Sequence, residues 1–193
     1  MTDDRGELGA YNPEGCAAPQ QSEKGYRYDG TTFVSERQFV ARFLDDLRAA
    51  ESFGAEVVAL WAAVARDPEV RGGLRAICAR ERSHGEMLAR RIEELGGTCA
   101  AELGAGLKQA ASAHLASVAV PDIEKLRDFV ARYPDMNAAV KPIRDVILQI
   151  EDDLETRALL GAIADDEIAT QRWMATAFKR LASSSEYTGQ SDS

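Results

Sequence analysis

The chain has 193 residues and a formal net charge of −9, with acidic residues in every region; this excludes the clustered lysine and arginine surface that follows a phosphate backbone, and with it nucleic acid as a partner. No stretch approaches the roughly 20 apolar residues that span a bilayer, and the acidic, polar opening MTDDRGELGAY is unlike the basic-then-apolar pattern of a signal peptide. The expectation is a cytoplasmic protein without a membrane partner, holding one core and flexible ends in an all-α fold, since alanine, leucine, arginine and glutamate dominate its middle.

Residues 1–34 are rich in Gly, Pro, Gln, Ser and acids without a sustained period, the composition of a polar tail that cannot bury enough apolar area to order itself. Tyr26, Tyr28 and Phe33 are the residues by which its end would dock, and the tail is a candidate surface for a protein partner. From Ser35 apolar or small residues recur at 40, 44, 47, 54, 58, 61 and 65, the alternating threes and fours of a helix face. This first helix runs to about Arg66, where Asp67-Pro68 ends it and opens a second over 68–95, closed by Gly96-Gly97.

Residues 98–134 carry two shorter helical patterns, Leu107 to Val118 and Pro121 to Tyr133, and read as a crossover long enough to start the next helix at the far end. A third helix is predicted over 136–153, and a fourth follows with the stripe 160, 163, 167, 170, 174, 177 and 181, ending near Leu181. The serine run and residues 183–193 read as a second flexible tail. The expected architecture is two helical hairpins joined by a long crossover, a four-helix bundle over 35–182. Cys16, Cys78 and Cys99 have neither an even count nor a zinc spacing, so all three read as reduced thiols, with Cys78 a small buried hydrophobe.

Helices two and four also overlay without gaps: DPEVRGGLRAICARERSHGEML lies on DLETRALLGAIADDEIATQRWM, pairing Leu74 with Leu160, Ile77 with Ile163, Glu81 with Glu167 and His84 with Thr170. Within the stripes, certain polar residues stand where hydrophobes are expected. The second helix presents Leu74, Ile77, Glu81, His84, Leu88, Ile92 and Leu95; the first presents Leu47, Glu51, Gly54, Val58 and Trp61; and in the fourth Glu167 lies between Ile163 and Met174. Ionised carboxylates turned into a core cost several kcal/mol each unless compensated. A divalent cation compensates them directly. Glu81-x-x-His84 sets two ligands one turn apart on one face, and carboxylates with an imidazole and no thiolate favour iron or manganese over structural zinc.

Glu51 followed by Glu81-Arg82-Ser83-His84 resembles the first half of the ferritin-like superfamily motif, in which one helix gives a Glu and the next gives Glu-x-x-His. The resemblance covers about 35–182, crossover included, and is similar in layout to ferritins, rubrerythrins and related di-iron carboxylate proteins. It implies a two-metal centre that reacts with oxygen or peroxide or oxidises stored iron, with Glu51, Glu81, His84 and Glu167 as metal ligands. The sequence departs from that pattern in its second half. Thr170 stands where the second histidine would be, Gln171 is only marginally in register, and the third helix offers Asp135, Asn137 and Glu151 without one fitting the stripe.

The expectation is therefore one good half-site, completed by Glu167 or by the second subunit of a homodimer. The rival expectation is a metal-free bundle serving as an interaction or assembly module, with Glu81 and His84 a buried hydrogen-bonded pair and the Glu51 carboxyl protonated. His114, in the crossover, reads as structural, and Trp61 and Trp173 as packing anchors.

Overall fold

The computed structural model describes residues 25–189, with side chains described through residue 184. Among these residues the chain is mostly helical, with six helices and one antiparallel pair of strands. That pair is the first departure from expectation, because β1 (Tyr26–Tyr28) and β2 (Thr31–Phe33) form a hairpin inside the segment read as a tail. Asp29 and Gly30 join them, both at positive φ (48° and 72°), as a two-residue type I′ turn requires. Tyr26 stacks on Phe39 at 5.4 Å between ring centroids and Tyr28 meets Phe43 edge-on at 5.2 Å, so the predicted docking aromatics cover the start of the first helix. The rest of the expected N-terminal tail, with Cys16, and residues 190–193 lie outside the described residues.

Helix α1 (Glu36–Val64) begins at Ser35, whose Oγ accepts from the Gln38 amide; α2 (Pro68–Glu94) begins at Asp67, whose Oδ1 accepts from the Val70 amide at 2.8 Å. The Gly97 amide closes α2 on the Ile92 carbonyl at 2.8 Å. The two helices form an antiparallel hairpin. The chain then returns along α1, anchored first by Asp45 Oδ2, which accepts from the Ala100 and Ala101 amides. It continues through α3 (Ala105–Ala116) to Val118, whose carbonyl accepts from Arg66. Helix α4 (Asp122–Arg132) starts on Asp122, whose buried carboxylate accepts from Trp61 Nε1 and from the amides of Arg66 and Asp67.

After a break at Tyr133-Pro134-Asp135, α5 spans Met136–Ile147, shorter than the predicted 136–153. It stops early because the amides of Glu151, Asp152 and Asp153 turn to the Glu36 carboxylate instead of extending the helix. Helix α6 (Leu154–Gly189) starts just after Asp153, whose Oδ1 accepts from the Thr156 amide, and runs past the predicted end at Leu181. Residues 183–189, read as tail, are therefore helical. Helices α2 and α6 run antiparallel, since Arg91 near the end of α2 pairs with Asp153 at 2.8 Å and Arg180 of α6 pairs with Asp67 at 2.7 Å.

The core divides in two. One apolar cluster joins Phe39, Phe43 and Leu44 of α1 to Leu88, Ile92, Val140, Ile143, Leu160 and Ile163. The other joins Val58 and Trp61 to Val70, Leu74, Ile77, Leu126 and Met174. Between them, on α1, α2 and α6, lies a polar layer containing Glu51, His84 and Glu167.

Candidate metal centre

Each of the four predicted ligands sits on a helix face that the flanking hydrophobes turn inward. Glu51 precedes Ala55 and Val58; Glu81 and His84 lie between Ile77 and Leu88; Glu167 lies between Ile163 and Met174, all on helices whose apolar neighbours are buried. Side chains one turn apart cover the same patch, so anchoring the two clusters carries the intervening acids into the layer between them. Glu51 and His84 are 5 % and 2 % exposed, leaving almost no solvent to share their charge.

Glu51, His84 and Glu167 each offer one ligand atom, and these atoms lie within 4.8 Å of one another. His84 is held at both ring nitrogens: Nδ1 is 3.1 Å from Glu51 Oε2 and Nε2 is 3.1 Å from Asp166 Oδ2. Burial would lower its pKa, but the bonds to Glu51 and Asp166 and the surrounding negative charge outweigh burial and raise it. The partner of His84 is thus Glu51, with Asp166 on the other side; the buried Glu81–His84 pair expected of a metal-free bundle does not form.

Glu81 approaches α1 at Gly54, where a β-carbon would run into its Oε2. Gly54 thereby makes the space in which the carboxylate lies. That same Oε2 is buried without a hydrogen-bond partner, as is Glu167 Oε1. Burial, then the charges of Glu167 and Glu51, push the Glu81 carboxyl up to about 8; burial, then Glu51, pushes Glu167 up to about 7. Glu81 is not among the three residues whose ligand atoms converge; Glu51, His84 and Glu167, two carboxylates and an imidazole, form a donor set of the kind that suits a hard or borderline divalent cation, with the Glu81 carboxyl buried nearby against Gly54.

The remaining candidates are placed elsewhere. Asp135 caps α5 by accepting from the Asn137 amide, Asn137 accepts from Arg144, and Glu151 is exposed beside Glu36. The reason for the missing third-helix glutamate is visible in the break at 133–135: α4 packs into one apolar cluster and α5 into the other, so the break falls at the level of the polar layer. His114 Nε2 lies 3.2 Å from Asp128 Oδ2 without forming a hydrogen bond, Arg48 pairs with Asp45 rather than with Glu51, and buried Cys78 donates to the Ala55 carbonyl. Trp61 is buried in the second cluster and Trp173 lies against Gly73, both as packing anchors.

Two participants, Asp166 and Arg80, are not among the residues that the sequence singles out, and Thr170, noted there only as a missing histidine, joins them. Asp166 was hidden in the acidic run 165–167, which resembles a solvated turn. Thr170 accepts a hydrogen bond from Arg80, and Arg80 also faces Asp166, its Nη1 3.9 Å from Oδ1. The overlay of α2 on α6 held the available signal, since it pairs Arg80 with Asp166 as well as His84 with Thr170. No family model matches this chain, and no curated protein matches it in sequence.

Proposed function

We propose that this protein is a ferritin-like metal-binding protein in which α1, α2, α6 and the broken α4–α5 leg make a four-helix bundle around an iron or manganese site. The observation that supports it is the convergence of Glu51, His84 and Glu167 donor atoms within 4.8 Å, in a buried layer where Glu81 and Glu167 each keep an unpartnered oxygen. Glu51, His84 and Glu167 would hold the ion, with Glu81 closing it from the Gly54 side. Iron or manganese there would supply one-electron chemistry toward oxygen or peroxide, including oxidation of ferrous iron as a substrate. The chain's own part is to bring the Glu51 and Glu167 carboxylates together with His84, to hold the imidazole between Glu51 and Asp166, and to limit the access of water with the two flanking apolar clusters.

The test is elemental analysis of protein purified without a chelating tag, beside a Glu81→Ala plus His84→Ala variant. Iron or manganese bound by the parent and lost in the variant is the expected result. No metal after anaerobic reconstitution with ferrous iron would overturn the reading and favour its rival, a metal-free interaction module. The fact favouring that rival is the His84 bridge, in which both ring nitrogens are taken up by acids, Glu51 and Asp166.

A further inference from the structure

Several contacts between α2 and α6 exchange under the overlay of the two helices. The overlay that pairs residue 67 with 153 pairs Arg80 with Asp166 and His84 with Thr170. Both helices open on the paired aspartates, Asp67 and Asp153, each capping the amide three residues on and each bound by an arginine near the far end of the other helix. At the centre the same exchange holds: His84 of α2 touches Asp166 of α6, and Arg80 of α2 touches Thr170 of α6. Swapping the helices turns one contact into the other. Where one half of the layer has an imidazole linked to a carboxylate, the other half has a hydroxyl linked to a guanidinium.

From this exchange we infer that the Arg80 guanidinium stands in the place of a second cation, so that the layer takes one divalent metal ion per chain. The inference rests on the metal-binding reading above. Charge is in keeping with it: with the Asp166 carboxylate half in solvent, the three more enclosed carboxylates, Glu51, Glu81 and Glu167, are matched by one divalent ion together with one guanidinium. A second divalent ion would leave uncompensated positive charge in a layer with little solvent to dissipate it. Arg80 reaches α6 beside Glu167, bonded to Thr170 and with Nη1 3.9 Å from Asp166 Oδ1. It is also committed to the layer, with its Nε buried and without a partner. An arginine cannot lose its proton, so this charge is fixed where a bound ion would be exchangeable.

The experiment is manganese(II) binding to the full chain by equilibrium dialysis, with electron paramagnetic resonance of the saturated protein. The parent is expected to bind one manganese per chain with an isolated-ion signal. Arg80→Asp, which supplies an acid in the place equivalent to Asp166 and removes the fixed charge, is expected to bind two; Arg80→Lys is expected to stay at one. Two ions in the parent, or an exchange-coupled signal, overturn the inference while leaving the metal site intact. One ion in a folded Arg80→Asp variant, checked by circular dichroism, also overturns it. No ion in the parent overturns the metal-binding reading itself, and if Arg80→Asp does not fold, the count and signal of the parent still decide.

Discussion

His84 holds two acids at once, and a protonated imidazole in that position is a weak substitute for a metal ion: one charge, shared between Glu51 and Asp166, with nothing reaching the orphaned oxygens of Glu81 and Glu167. Protons and metal therefore compete for the same ligands, and the acids that gain least from His84 are the most informative to change. Replacing Glu81 by Gln keeps the shape beside Gly54 and removes the ionisable group. At pH 8.5, where the parent carboxyl is largely ionised, the metal-free Glu81→Gln protein is expected to melt several degrees higher, since one to two kcal/mol corresponds to roughly 2–8 °C in a domain of this size. The upward shift that manganese gives the parent, roughly 5–10 °C at a hundredfold excess over Kd, is expected to shrink in the variant. Thermal unfolding in EDTA and in manganese checks both; a lower melting point in EDTA would mean that Glu81 is not held as a buried charge.

At the scale of elements, helices bounded by local signals were legible and those defined by distant partners were not. The limits of α1 and α2 follow from Ser35, Asp67-Pro68 and Gly96-Gly97, local signals that act within one turn. The end of α5 depends on Glu36, more than a hundred residues away, and no local pattern announces it. The hairpin was legible in Asp29-Gly30 between two short aromatic and β-branched runs, but the surrounding polar composition masked it. Glu51, Glu81, His84 and Glu167 stood out because each interrupts an apolar stripe. Asp166 and Arg80 did not, because neither lies on one. Two substitutions test how elements build the layer. Gly54→Ala, which would stabilise an ordinary exposed helix by about 1 kcal/mol, is expected to displace Glu81 and weaken manganese binding at least tenfold by isothermal titration. Asp122→Ala leaves Trp61 Nε1 and the Arg66 and Asp67 amides without their acceptor and is expected to cost about 2–4 kcal/mol in denaturant unfolding. An unchanged midpoint would mean that α4 is not pinned to the α1–α2 turn through this carboxylate.

For the whole molecule, the consequence is an unusual dependence of stability on pH. Asp45, Asp67 and Asp153 are acids of the ordinary folded kind. Arg180 and the Val70 amide hold Asp67 low; the Ala100 and Ala101 amides with Arg48 overcome the burial of Asp45, and the Thr156 hydroxyl and amide with Arg91 overcome that of Asp153. Their stabilisation is present above the unfolded value near 3.8 and is lost as pH falls through their lowered folded values. The polar layer has the opposite sign. Glu81 and Glu167, raised to about 8 and about 7 from 4.5, and His84, raised from 6.5, bind protons more tightly in the folded than in the unfolded chain. The unfolded chain therefore loses protons first as pH rises, and stability falls between about 4.5 and 8, by an amount on the order of a few kcal/mol. A metal ion takes the place of those protons, because it needs the carboxylates ionised and the imidazole neutral. Denaturant unfolding across pH 4–9 is thus expected to show metal-free protein most stable on the acid side of neutrality and declining toward pH 8, with manganese abolishing the decline. The metal-induced gain should grow with pH and nearly vanish near pH 5. A metal-free protein equally stable at pH 5 and pH 8 would mean that Glu81 and Glu167 reach water, and the electrostatic basis for a metal in that layer would be gone.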